Sequence, residues 1–110
     1  MNQEEILSSK LEALFPDINS RKDAIDILNE YGKESHEQET IRVRLAILKL
    51  TGSDLDKIID FTDSAKQDYR DILSWAEYSR QSKNWSVPDG KKKQKLVDED
   101  RAEYQKWLNT

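Results

Sequence analysis

Residues 55–76, LDKIIDFTDSAKQDYRDILSWA, decide the fold class. Within them Leu55, Ile58, Ile59, Thr62, Ala65, Tyr69, Ile72, Leu73 and Ala76 recur at steps of three and four, the spacing that lines one side of an α-helix. At ~100° per residue, Trp75 falls roughly 120° away from Tyr69, and Tyr78 falls roughly half a revolution away. Bulky aromatics on a second side need cover of their own, supplied by another part of the chain or by a separate molecule. The stretch therefore predicts a long helix with two apolar sides.

Working outward, Asn2 and Glu5 form a capping pair ahead of Leu7, Leu11 and Leu14. That first helix should stop at Phe15, because Pro16 disfavours helical geometry in the residue before it. Ser20 and Asp23 predict the start of a second helix carrying Ala24, Ile25, Ile27, Leu28 and Tyr31, with Gly32 as a left-handed terminator. The two helices should pair as a hairpin. Ser35 and Gln38 form a further capping box before Ile41, Val43, Leu45, Ala46, Ile47, Leu48 and Leu50. Alternation over residues 41–45 also fits a strand. Adjacent apolar residues at 45–48 break that period and favour a helix buried on more than one side, the central element of the domain.

Ser53 and Asp56 predict the start of the fourth helix, which could run to about Arg80. Its length exceeds the ~11 to 12 residues of an average helix, so a kink or break near residues 63–67 is expected. Residues 81–92 read as a polar loop carrying Trp85, and a last helix is predicted over residues 93–108. Val97, Arg101, Tyr104 and Leu108 share one line of it, with Trp107 beside them. The predicted fold is all-α: a single domain over residues 1–110, built as a compact bundle of about five helices with a long or kinked fourth helix.

Composition narrows the function classes. The chain has 110 residues, 35% hydrophobic and 36% charged, with 18 basic against 22 acidic side chains and a net charge of -4. A mean hydropathy of -0.93 is low. Even so, three tryptophans, four tyrosines and two phenylalanines supply enough apolar bulk for one core. Negative charge disfavours indiscriminate attraction to nucleic acid or anionic lipid. Without cysteine there is no disulfide framework, thiolate metal site or cysteine nucleophile. No secretory signal is read in residues 1–10, and no apolar run approaches the ~20 residues of a membrane span. The expected location is cytoplasmic.

Candidate chemistry is sparse. His36, the single histidine, sits at a predicted helix start and needs no special role there; no catalytic constellation can be assigned to it. Asp54, Asp56, Asp60, Asp63, Asp68 and Asp71 make the fourth helix acidic. They lack the glycine and terminal glutamate of a calcium loop, and no Glu-x-x-His pair suggests a di-iron site, so neither metal nor cofactor is expected. Helix three, the turn and helix four superficially resemble a helix-turn-helix, but the second helix opens with acids that would face phosphate. Lys91, Lys92, Lys93 and Lys95 form one basic cluster, followed at once by Asp98, Glu99 and Asp100; nucleic acid is disfavoured as a partner.

Asp68, Arg70 and Asp71 either frame an interaction surface around Trp75 and Tyr78 or tie the helix to a neighbour. Trp85 and Trp107 are placed to cover those two aromatics. If they do not, the aromatics form a patch suited to partners or self-association. The run from Ala65, Lys66, Gln67, Asp68, Tyr69, Arg70, Asp71, Ile72 and Leu73 to Ala76, Glu77 and Tyr78 resembles a group of small bacterial helical proteins of unknown function. That resemblance spans residues 45–80 and implies a bacterial cytoplasmic origin and an all-helical fold, with no catalytic residues to transfer.

The leading expectation is a noncatalytic helical protein that contacts another protein, or itself, through Asp68, Arg70, Asp71, Trp75, Tyr78 and Trp85. The alternative is a ligand-binding or enzymatic bundle using the acids with Tyr69 or Arg70 around an internal pocket. A third reading is nucleic-acid association through the lysine cluster.

Overall fold

A computed structural model describes residues 2–78 and 90–109. Six helices occur among them: α1 (Gln3–Leu14), α2 (Ile18–Leu28), α3 (Thr40–Thr51), α4 (Leu55–Gln67), α5 (Tyr69–Glu77) and α6 (Gly90–Leu108). No strand occurs among the described residues, and residues 41–45 lie inside α3. No helix among them is long and apolar enough to cross a membrane.

Local capping sets most of the boundaries. The Asn2 side chain accepts the Glu5 N–H at 2.9 Å, as its spacing predicts. α2 starts earlier than expected, because Asp17 rather than Ser20 is the cap: its carboxylate accepts the Ser20 N–H at 2.9 Å. This places Ile18 in the first turn, 69% exposed. α2 also ends earlier, at Leu28, and Gly32 at φ 112° closes the turn that follows. A Cβ there would meet the Thr40 methyl at 2.8 Å.

The expected Ser35 and Gln38 box does not form. Glu39 precedes α3 in the left-handed region without a side-chain cap. Residues 32–37 are instead organised by buried Glu37, whose Oε1 accepts the N–H of Gly32 at 2.7 Å and of Lys33 at 3.1 Å. Asp54, not Ser53, caps α4 by accepting the Lys57 N–H.

The expected fourth helix is two helices. Asp68 adopts extended geometry and serves as the last cap of α4 and the first of α5. Its N–H bonds to the Ser64 carbonyl, and its side chain accepts the Arg70 N–H. A short carboxylate that satisfies the backbone locally competes with helix continuation, so the break falls one residue beyond the predicted window.

α3 is central, as predicted: it packs against α1, α4 and α5, and Val43, Leu45, Ala46, Ile47 and Leu48 are buried. α1 and α2 pack together, α2 also meets α4, and α6 leans on α5. Ile58, Thr62 and Ala65 carry the buried line of α4, continued in α5 by Ile72, Leu73 and Ala76. Ile59 was expected on that line but is 44% exposed. Leu55, also expected on that line, is partly buried against the core, as is Phe61, which was not.

The last helix begins at Gly90 rather than near Lys93, so residues 90–92 are helix and not loop. Polar ties fasten the elements. Arg44 donates to the carbonyls of Leu28 and Tyr31, fixing a cation at the end of α2. Arg42 grips Glu77. Lys49 donates to the Ala76 carbonyl at 2.8 Å, with its ammonium 5.8 Å from the centre of the Tyr104 ring.

Candidate functional site

α5 and its two caps, Asp68 and Tyr78, carry the described sequence candidates, and the two ends have different chemistry. At its start, Arg70 folds back on Asp68 with Nε and Nη2 each 3.0 Å from a carboxylate oxygen. This exposed fork holds the Asp68 carboxyl below its ordinary range through the Arg70 side chain and N–H, against a smaller opposing effect of desolvation. Asp71 is exposed, and its N–H reaches the Asp68 carbonyl at 3.3 Å. These groups stabilise the helix junction and do not converge on an internal pocket. His36 is nearby, with Nε2 3.3 Å from the Lys66 carbonyl. Together with Gln67, Asp68, Tyr69 and Arg70 it borders a surface depression of about 260 Å³.

Toward the other end, Trp75 and Tyr78 are 43% and 40% exposed. Phe61 meets Trp75 edge-on, with centroids 6.1 Å apart and planes at 77°. Such an arrangement fixes the indole's orientation while leaving one side open. Phe61 was missed by the sequence reading, although it stands three residues after buried Ile58 and so borders the same side of α4.

Trp107 packs elsewhere than the expectation placed it. Its ring lies 5.8 Å from that of Tyr104, and the Lys10 ammonium sits 4.6 Å above its centroid. Burial lowers the Lys10 pKa, and the aromatic face offers partial compensation. Trp85 lies outside the described residues, as does Arg80. Of the lysine cluster only the Lys95 side chain is described; it is largely exposed, 4.0 Å from Glu99.

A second concavity, of about 230 Å³, opens between Gln3 of α1, Glu77 of α5 with its cap Tyr78, and Arg101, Tyr104 and Leu108 of α6. The Tyr104 hydroxyl is buried and has no hydrogen-bond partner. Burial, then the Glu77 charge, pushes that phenol's pKa well up, with Arg42 opposing, so it remains a proton donor. No group of three or more His, Asp or Glu among the described residues is arranged to hold a metal ion. Comparison with family models, curated proteins and solved structures finds no match to this chain.

Proposed function

We propose that this chain is a noncatalytic helical protein that acts by contacting another protein through the Trp75 and Tyr78 side of α5. The observation that carries this reading is the exposure of two large aromatics at the end of α5, Trp75 in its last turn and Tyr78 at its C-cap, with Trp75 held in orientation by Phe61. An aromatic with few rotatable bonds, already fixed before contact, loses little entropy on binding and is typical of residues that dominate interfaces. The helix beneath is anchored by Arg42 to Glu77 and by Lys49 to the Ala76 carbonyl, so the surface is presented on a rigid support. Exposed Asp71 stands one turn before Trp75, and the chain is acidic overall. The partner suited to it has an apolar surface rimmed by lysine or arginine.

The test is recovery of partners from the native cell by intact protein and by a Trp75→Ala, Tyr78→Ala double variant whose fold is verified by circular dichroism. Sedimentation velocity measures self-association in parallel. The reading expects the variant to lose a specific partner or its own dimer. Equal recovery of every partner by a folded variant, with unchanged sedimentation, overturns it.

A further inference from the structure

Phe61 and Trp75 stand seven residues before and seven residues after Asp68, the cap shared by α4 and α5. Their rings meet edge-on with centroids 6.1 Å apart, so the break folds two helices together around one aromatic contact. Trp75 keeps 43% of its surface exposed there, and Tyr78, at the C-cap of α5, keeps 40%. The charges beside this pair are predominantly negative. Asp71 stands four residues before Trp75 and so shares its side of α5, and Asp60 stands one residue, about 100°, from Phe61. Both aspartates are exposed. Arg70, the cation next to Asp71 in sequence, is committed to Asp68. Lys57, exposed and four residues before Phe61, is the opposing charge. Residues 54–71 carry six aspartates against three cations, which is -3 of the chain's -4.

Two features limit what docks on this surface. No strand, and hence no sheet edge, occurs among the described residues, so an incoming segment finds no ladder of free N–H and C=O groups to pair with. A segment buried against aromatic rings must then satisfy its own backbone, which a helix does. A second copy of the chain fails on charge: a two-fold contact centred on Trp75 sets one acidic rim against another.

We propose that the surface formed by Phe61, Trp75 and Tyr78 docks a lysine- or arginine-rich amphipathic helix of another protein. The apolar stripe of that helix, recurring at steps of three and four, lies on the aromatics, and its cations reach Asp60 and Asp71. This rests on the protein-contact reading and adds to it the partner's secondary structure, the sign of its charge and its being a different chain.

The experiment selects its own probe: display of random peptides about 18 residues long, roughly five helical turns, against the full chain, with the folded Trp75→Ala, Tyr78→Ala variant as counter-selection. The enriched peptides are expected to be basic, with apolar residues at helical spacing, and the best of them, synthesised, should gain helical circular dichroism on binding. Its affinity should fall about tenfold for the Asp60→Asn, Asp71→Asn variant and rise about threefold for Lys57→Glu. A surface that needs only an intact fold does not respond with opposite signs to exposed charge changes. Enriched peptides that need Trp75 and Tyr78 but are acidic or neutral, or lack the helical period, overturn this inference and leave the contact reading standing. Selection that yields no peptide dependent on those two aromatics overturns both. Self-association of the chain that the Trp75→Ala, Tyr78→Ala variant loses assigns the surface to a second copy and overturns this inference alone.

Discussion

Arg42 clasps Glu77 across the α3 and α5 interface, with Nε 2.8 Å from Oε2 and Nη2 2.5 Å from Oε1. The Glu77 side chain is only 11% exposed and that of Arg42 33%. Two parallel hydrogen bonds between opposite charges give both energy and direction. Arg42→Ala strips the donors from a nearly buried carboxylate and should cost about 1.5–3 kcal/mol in urea unfolding. Arg42→Lys keeps the charge but loses the fork, and should recover less than half of that loss. A cost within error of zero for the alanine variant would show that water replaces the guanidinium without penalty.

Leu45 and Leu48 are each 1% exposed on the central helix, whereas Ile59 is 44% exposed on α4. An alanine at either leucine loses the burial free energy and leaves a void against close-packed neighbours. About 2–5 kcal/mol is expected for each. Ile59→Ala should cost under about 1 kcal/mol, since much of that side chain is already in water. Denaturant unfolding of the three variants checks the order; an Ile59 loss equal to either leucine loss contradicts the buried line drawn through Ile58, Thr62 and Ala65.

Asp68 ends one helix and begins the next, accepting the Arg70 N–H while Arg70 Nε and Nη2 bind the same carboxylate. Asp68→Ala removes the competitor to helix continuation together with the cap of α5. Amide exchange over the first turn of α5 should accelerate, and exchange in the middle of α3 should not change. Slower exchange at Arg70 would mean that the two helices fuse once the carboxylate is gone, and that the break is not fixed by α5 packing.

Features that depend on neighbours in sequence were the readable ones. The Asn2 cap needs only a side-chain oxygen three residues before an N–H, and the period of residues 58–76 reports burial at Ile58, Thr62, Ala65, Ile72, Leu73 and Ala76, though not at Ile59. Where two caps competed, spacing alone did not choose: Asp17 displaces Ser20, and Asp54 displaces Ser53, because both patterns satisfy the same helix start. Tertiary pairings left no local trace. Phe61 against Trp75 joins residues fourteen apart in sequence, and Lys10 over Trp107 joins opposite ends of the chain. Trp75 and Tyr78 were correctly placed away from the buried line, whereas Asp68 and Arg70 were grouped with them although their chemistry serves the helix junction.

Glu37 gives the loop between α2 and α3 a defined pH dependence. Burial alone pushes its carboxyl pKa up, but the N–H groups of Gly32, Glu34 and Lys33 and the Lys66 cation together hold it below the ordinary glutamate value. A folded-state pKa lower than the unfolded one means that, as pH falls, the unfolded chain takes up this proton first. The Glu37 contribution is therefore full above the unfolded value, at about pH 5 and higher, and is lost as pH drops through the folded value. His36 Nε2 lies 3.9 Å from Glu37 Oε2, so the measurement belongs in a His36→Asn background that removes this neighbour. There, Glu37→Gln should be less stable than its parent by a constant amount from about pH 5 to pH 7, and the gap should close toward pH 3. A gap of the same size at pH 3 and pH 7 would mean that the hydrogen bonds from Gly32 and Lys33 hold the loop whether or not the oxygen carries charge.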